Sequence, residues 1–368
     1  MNFDKKKITF WSPHIAEVAT IKAVFNSAKS LKKFSHSKFE PEIIDAFGEW
    51  RKMTNNNSEI KIHKLYSTEF INRMPSNGFI FSRLKYILIF LFSFIPLISY
   101  LKKRKPSFLI IHLITSLPLF LNYLFKFDTK IVLRISGKPK LNLLRYIFWK
   151  IVLKKVYKIT FPTKETYTYF KSLNIVDDKK LFLLFDPVLD ISEINLKKKD
   201  EAQNTIEFEN YYLCIGRLTK QKNFSFMINC FKEIIAIKKN VKLLIIGEGE
   251  DYKKLKELIA QYDLQKNIFL IGYKKNIYLY LKRAKGFILS SLWEDPGFVL
   301  IESIYANTAV ISSDCPSGPK ELIGSQKGIL FKSNSKEDFL KKFNYFEGLE
   351  KSKIKQMKIN AKKNIKQF

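Results

Sequence analysis

Acidic residues are scarce in this chain, with 34 Asp and Glu against 65 Lys and Arg, for a net charge of +31. Between Lys61 and Lys164 only Glu69 and Asp128 oppose 20 cations, so the basic field belongs to the first half. Such an excess fits nucleic acid, an anionic membrane surface, or a lysine-rich coding bias with no partner. Cysteine is also rare: Cys214, Cys230 and Cys315 are far apart, with no CxxC pair. This excludes a disulfide framework and a zinc or dithiol motif, and it fits a reducing cytosolic compartment. The opening "MNFDKKKITFWSP" lacks the ~7–15 residue apolar core of a secretory signal and reads as a first strand. No repeat, low-complexity tract or strongly polar stretch interrupts the chain, and with 46% hydrophobic residues there is ample material to bury.

Long apolar runs are few as well. One of them, "YILIFLFSFIPLISY" at 86–100, is uncharged throughout and is flanked by Arg83 and Lys85 and then by "KKRK" at 102–105. As a helix it would span about 22 Å, short of the ~30 Å hydrocarbon core, and it contains Pro96. Two readings remain, and they are compatible: a buried helix of the first domain, or a helix resting on the membrane interface with its basic flanks on anionic headgroups.

At 368 residues the chain exceeds one ordinary core, so two domains are expected. Short β-rich runs alternate with helical patterns over nearly the whole length, the signature of parallel α/β layers. "KITFW", "FLIIHLI", "KIVLRIS" and "KITFPT" read as strands of a first sheet, in an N-terminal domain over 1–190. The polar stretch 185–210 reads as a linker. Over 205–345 the rhythm is plainer, with continuous apolar strands "YYLCIG", "KLLIIG", "IFLIG", "GFILSS" and "AVISS" between helices. This predicts a doubly wound α/β domain that binds its ligand at the carboxyl ends of the strands. The remainder, 346–368, reads as a lysine-rich helical pattern, either a solvated face or a helix packing back on the N-terminal domain.

Three stretches follow strands of the second domain. "CIGRLTKQKNF", 214–224, places Gly216 and Arg217 at a strand end, with Lys220 and Lys222 before the next helix. Two cations beside free helix amides make an anion site, and the plainer alternative is a solvated basic turn. "IIGEGED", 245–251, lacks the third glycine and downstream acid of a dinucleotide fingerprint and reads as a tight turn. "SLWEDPGFVLIES", 291–303, holds Glu294 in a loop and Glu302 about one turn into a helix, with Pro296 and Gly297 at the junction. The amides near Gly297, Phe298 and Val299 then face a phosphate at the positive helix end. Glu302 is placed to hold a ribose diol, or else to complement the helix dipole, and Asp295 reads as the helix cap. A cationic loop and a carboxylate-bearing helix end on one sheet edge suit a diphosphate plus sugar hydroxyls, that is, a nucleotide sugar.

These residues resemble family 4 of the retaining glycosyltransferases, glycosyl transferases group 1. The resemblance rests on "GRLTKQKN" and on Glu294 and Glu302, separated by seven residues, and runs from about Tyr211 to Leu322. "WEDPGFVLIES" followed by "SSDCPSGPKEL" is similar to a bacterial subgroup that builds lipopolysaccharide, capsule or related surface glycans. The resemblance implies the GT-B fold, two Rossmann-like doubly wound domains facing a cleft. It also implies a hexosyltransferase that moves a hexose or N-acetylhexosamine, with retention, from a nucleotide sugar such as a UDP-sugar to a lipid-linked or lipopolysaccharide acceptor.

By that similarity Arg217 and Lys222 neutralise the donor diphosphate, Glu302 binds the ribose and Glu294 contacts the donor sugar. "LIGYKKN", with Gly272 and Tyr273, matches the base-binding edge. The chain departs from the family pattern in the first domain: "WSPHIAEVAT" lacks the usual glycine pair, and "RISGKP" carries Ser136 where a histidine is common. His112, ending an apolar strand, is either a satisfied core residue or a catalytic one, and Arg134 and Lys138 are candidates for compensating charge. No metal or other cofactor is expected, because Arg217 and Lys222 can supply the positive charge. The expected location is cytoplasmic, peripheral on the inner face of the membrane. The alternatives are a nucleotide-sugar isomerase or phosphorylase on the same scaffold and a basic nucleic-acid-binding protein, the latter disfavoured because the strongest aromatic run is uncharged.

Overall fold

The structure is a computed structural model that describes residues 5–14, 19–50, 60–66, 79–139, 141–199, 208–324 and 326–368. It divides into two compact units, Met1–Pro187 and Val188–Phe368.

In the first unit, strands β1 (Lys6–Trp11), β2 (Phe39–Asp45), β3 (Lys61–Lys64), β4 (Phe108–Ile111), β5 (Lys130–Arg134), β6 (Lys158–Phe161) and β7 (Leu181–Leu183) form a parallel sheet ordered β3-β2-β1-β4-β5-β6-β7. The helices are α1 (Ala19–Phe34), α2 (Phe79–Arg104), α3 (Ser116–Leu124), α4 (Leu143–Val152) and α5 (Lys164–Ser172). Right-handed crossovers put α1 on one face and α2 to α5 on the other. Alternation along β1 serves both layers: Phe10 packs with Val24 of α1, and Trp11 belongs to the core of Leu97, Leu121, Trp149 and Phe170. The four strands expected from the sequence are present, and β2, β3 and β7 are additional. In β2, "FEPEIID", a proline and two glutamates break the apolar run, yet the strand pairs on both sides. Its Glu42 is buried because the hydroxyls of Thr9 and Tyr100 donate to the carboxylate.

The uncharged run 86–100 is the middle of a longer helix. α2 has 26 residues, about 39 Å at ~1.5 Å per residue, with Pro96 inside it. The carbonyl of Phe92, which Pro96 cannot serve, accepts a hydrogen bond from the Tyr66 hydroxyl at 2.5 Å. By length and composition Arg83–Arg104 suffices to cross a membrane. Its place in the fold argues otherwise, since α2 is the crossover from β3 to β4 and buries Ile89, Leu97 and Leu101 in the core. The opposite face leaves Leu84, Ile87, Leu91 and Ile95 exposed, Ile95 at 75%. One face of this helix is thus buried in the first unit and the other is exposed.

The second unit contains α6 (Ile191–Lys199), β8 (Tyr211–Ile215), α7 (Phe224–Ile237), β9 (Lys242–Ile246), α8 (Tyr252–Gln261), β10 (Ile268–Leu270), α9 (Tyr278–Arg283), β11 (Gly286–Leu289), α10 (Phe298–Tyr305), β12 (Val310–Ser313), α11 (Pro319–Ile323), β13 (Ile329–Phe331), α12 (Lys336–Glu347) and α13 (Lys351–Asn364). Its parallel sheet runs β10-β9-β8-β11-β12-β13. Successive crossovers leave β8 in one direction and β11 in the other, so the topological switch point lies between these two strands.

One expectation changes here. The stretch 185–210, expected to be an irregular linker, contains α6, which packs on α9, and Asn276 Nδ2 donates to Lys197 O at 2.8 Å. Of the same stretch, 200–207 lies outside the described residues, as does 15–18 in the segment after β1. The terminal helix α13 belongs to the second unit. It packs on α10 and α11, where Asn364 Nδ2 donates to the carbonyls of Glu321 and Leu322 at 3.0 and 2.9 Å.

Candidate functional site

At the switch point the loops leaving β8 and β11 are stitched together. Leu292 N donates to Gln221 O at 2.8 Å, Gln221 Nε2 to Trp293 O at 2.9 Å, and Ser290 Oγ to Lys222 O at 2.7 Å. These bonds set Lys222 against Glu294, Nζ to Oε1 at 2.5 Å, with side chains 13% and 7% exposed. Ser291 Oγ donates to the same Oε1 at 2.5 Å, and Glu294 N to Pro316 O at 3.1 Å. Both side-chain bonds converge on Oε1, and Oε2 has no described partner. The stem of Lys222 lies over Gly216, where an added Cβ would stand 3.1 Å from it. Arg217, next along, is exposed and has no ion pair among the described residues. Of the loop's cations, Lys222 is therefore held by the protein and Arg217 is available.

The loop then turns through a cis Asp295–Pro296 bond to Gly297, which begins α10 at φ +95°. At that φ a β-carbon would be strained, and it would also touch Glu294 Cγ at 3.5 Å. Gly297, and not Asp295, occupies the cap position, and as a glycine it brings no side-chain cap bond. The capping role expected of Asp295 is thereby corrected. The carbonyl of Gly297 takes the amides of Leu300 and Ile301, while those of Phe298 and Val299 have no described partner. Two amides without a described partner at the positive end of a helix, on the same sheet edge as Arg217, suit a phosphate group.

One turn into α10, Glu302 is 9% exposed, and the Tyr278 hydroxyl from α9 lies 3.3 Å from its Oε1. Burial first, and then the Glu302 charge, raises the pKa of Tyr278 and keeps it a donor. The loop after β10 carries Gly272, whose carbonyl accepts from Gly247 N at 3.0 Å, and Tyr273, which is exposed. The Gly-x-Gly turn is structural: a Cβ on Gly247 would fall 1.9 Å from the carbonyl oxygen of Gly216, so the loops after β8 and β9 meet backbone to backbone. Gln221, Ser291 and Tyr278 escaped the sequence reading. Polar residues at strand ends were the only signal for the first two, and nothing local marks Tyr278.

In the first unit, His112 directly follows β4, with its amide donating to Trp11 O at 3.0 Å. Desolvation, aided by the Arg134 charge, pushes its pKa down to about 3, so the imidazole is neutral at physiological pH. Arg134 and Lys138 do not offer the free charge expected of them. Arg134 is buried and bonds Asp186 at 2.6 Å and the Leu184 carbonyl, and Lys138 pairs with Glu165 at 2.6 Å. Ser136 sits beyond β5 in the loop that holds Gly137.

Residues 197–364 match the family model for Glycosyl transferases group 1. The chain is 32% identical over 246 residues to an uncharacterized glycosyltransferase of Methanocaldococcus jannaschii, covering 62% of this chain and 60% of that protein. It is 27% identical over 259 residues to the N-acetylgalactosamine-N,N'-diacetylbacillosaminyl-diphospho-undecaprenol 4-alpha-N-acetylgalactosaminyltransferase of Campylobacter jejuni, covering 67% of each. The chain thus spans only about three-fifths to two-thirds of these relatives' lengths. Among solved structures, Anabaena HepE in complex with UDP and glucose superposes with a TM-score of 0.71 at 12% identity, over 99% of this chain and 95% of that one. That likeness shows the fold: two parallel-sheet, Rossmann-like α/β domains of the GT-B class.

Proposed function

Since residues 197–364 form a Glycosyl transferases group 1 domain, we propose that the protein is a retaining hexosyltransferase acting on a nucleotide sugar and a lipid-linked or surface-polysaccharide acceptor. The observation that carries this reading is the pairing, at one switch point, of an unpaired arginine and two free helix amides with two buried glutamates. Arg217 and the amides of Phe298 and Val299 would hold the diphosphate, and Glu302 the ribose diol. Glu294, with Oε2 free, would receive a sugar hydroxyl, and Lys222 would divide its charge between Glu294 and the leaving group. Gly272 and Tyr273 would border the base.

In the proposed step the bond from the anomeric carbon to the donor phosphate oxygen breaks, and the acceptor oxygen bonds to the same face of that carbon. The acceptor's proton passes to the departing phosphate oxygen. Such chemistry calls for charge stabilisation more than for a protein nucleophile. Arg217 and Lys222 provide it without a metal, and His112, neutral, suits a hydrogen bond to a sugar hydroxyl. A UDP-linked donor is favoured because the HepE structure holds UDP, and a polyprenyl-diphosphate acceptor because the Campylobacter relative is named for one. The exposed apolar face of α2, ending in Lys102, Lys103 and Arg104, would rest on the cytoplasmic face of the membrane, where such acceptors are presented.

The test is transfer or donor hydrolysis by the full chain across a panel of UDP- and GDP-sugars, with and without EDTA, together with nucleotide affinity of Glu302→Gln. Transfer that withstands EDTA, with weakened nucleotide binding in the variant, is expected. No turnover from any donor, with unchanged nucleotide affinity in the variant, refutes the reading.

A further inference from the structure

The amino edge of the first sheet carries a second feature, apart from every residue assigned above. A cavity of ≈ 630 Å³ opens there before β5, β6 and β7, and five lysines line it: Lys126, Lys130, Lys154, Lys155 and Lys180. No carboxylate is among its lining residues. The nearest in sequence, Asp128, is 76% exposed and pairs with Lys105 at 3.1 Å. Two of the ammonium groups are fixed by backbone carbonyls, Lys155 Nζ on Tyr123 O at 2.7 Å and Lys180 Nζ on Lys154 O at 2.6 Å. Each keeps two further N–H donors. Lys130 Nζ sits 4.9 Å from the centre of the Tyr157 ring, which also lines the cavity. Thr129, on the same wall, is buried, and its hydroxyl has no hydrogen-bond partner.

Five like charges around one concavity repel one another until an anion enters, and a solvated surface would space its lysines apart or intersperse acids among them. The volume falls within the ~300–1,000 Å³ of small-ligand sites. Neutral sugars have no use for five cations, and a nucleic acid needs a longer basic track with stacking faces. We propose that this cavity binds a phosphate-bearing anion, either a free phosphate compound or the phosphomonoester headgroup of a lipid. The site goes beyond the transferase reading and does not depend on it, because its residues belong to the first unit and to the opposite, amino ends of its strands.

The probes are inorganic pyrophosphate, by titration calorimetry, and phosphatidylcholine vesicles doped with phosphatidate, by co-sedimentation. Both are applied to the full chain, to Lys126→Gln/Lys130→Gln/Lys154→Gln and to Arg217→Ala. The three lysines are exposed, and among the described residues their ammonium groups make no hydrogen bond or ion pair, so the triple variant should keep its fold, checked by thermal melting. We expect a binding event that survives Arg217→Ala and weakens about tenfold or more in the triple variant, the effect of losing one charged hydrogen bond. Loss in the pyrophosphate arm alone identifies a free phosphate compound. Loss in the vesicle arm, with pyrophosphate competing, identifies a lipid headgroup. If the triple substitution changes neither arm, the proposal is overturned.

Discussion

Lys222 Nζ lies 2.5 Å from Glu294 Oε1, and the two residues come from loops after neighbouring strands β8 and β11. The fold thus holds these two side chains together across the switch point. Both side chains are largely buried, so removing either leaves an uncompensated charge. Lys222→Met or Glu294→Gln should each lower stability by about 3 kcal/mol and reduce turnover about a hundredfold or more. The double variant should regain much of the stability and none of the turnover. Urea denaturation with a double-mutant cycle reads the coupling, and strictly additive losses would show that the pair does not act as a unit.

Glu302→Gln should keep the fold, since the Tyr278 hydroxyl still finds an oxygen acceptor. Nucleotide affinity should fall about tenfold or more, because hydrogen bonds to a charged group contribute ~1.5–3 kcal/mol each. Calorimetry with UDP and GDP measures this, and an unaltered dissociation constant for both would remove Glu302 from the ribose site.

Gly297→Ala should cost about 1–3 kcal/mol through its φ of +95° alone, because the added carbon meets Glu294 at an ordinary 3.5 Å. Turnover should drop as the first turn of α10 shifts away from the phosphate. Asn tolerates positive φ better than Val, so Gly297→Asn should be milder than Gly297→Val. Equal melting temperatures for the two variants would contradict the backbone argument.

His112, pushed down to about 3 in the folded chain, should make stability pH-dependent. An unfolded histidine near ~6.5 binds a proton that the folded one refuses. The contribution is complete above pH ~6.5 and is lost as pH falls from there toward 3. His112→Asn should flatten the stability profile between pH 6.5 and 4 relative to the parent. Parallel profiles would show that the imidazole is not held neutral.

Membrane binding should depend on both parts of α2. Leu91→Glu/Ile95→Glu removes apolar contact, and charge reversal of residues 102–105 removes attraction to anionic lipid. Each should weaken association with anionic vesicles while leaving hydrolysis of a soluble donor unchanged. Equal sedimentation of parent and variants would exclude this face.

The legible parts of the sequence were those in which apolar continuity and motif spacing agree. Every strand from β8 to β12 shows an apolar run, and Arg217, Lys222, Glu294 and Glu302 fall just beyond strands or in the first turns of helices. β2 was hidden because Pro41 and Glu42 deny the pattern, and only partners distant in sequence, Thr9 and Tyr100, make the buried carboxylate tolerable. α2 looked shorter than it is because only its uncharged middle, 86–100, was counted, whereas the helix continues through its basic flanks, and Tyr66 takes up the carbonyl that Pro96 cannot serve. Arg134 and Lys138 looked free because Asp186 and Glu165, their partners, lie tens of residues away. Spacing reveals what a segment offers, and distant partners decide what has already been taken.

The bond from Tyr100 to Glu42 bears on how the protein behaves when cells are opened. It ties the last turns of the longest helix to β2 of the sheet, with Thr9 of β1 joining the same cluster. That helix cannot leave the domain to enter a bilayer without stranding a buried carboxylate. Only its outer half is on offer, so attachment should be reversible: high salt should shift the protein from the pelleted fraction to the supernatant, and no detergent should be needed to keep it folded there.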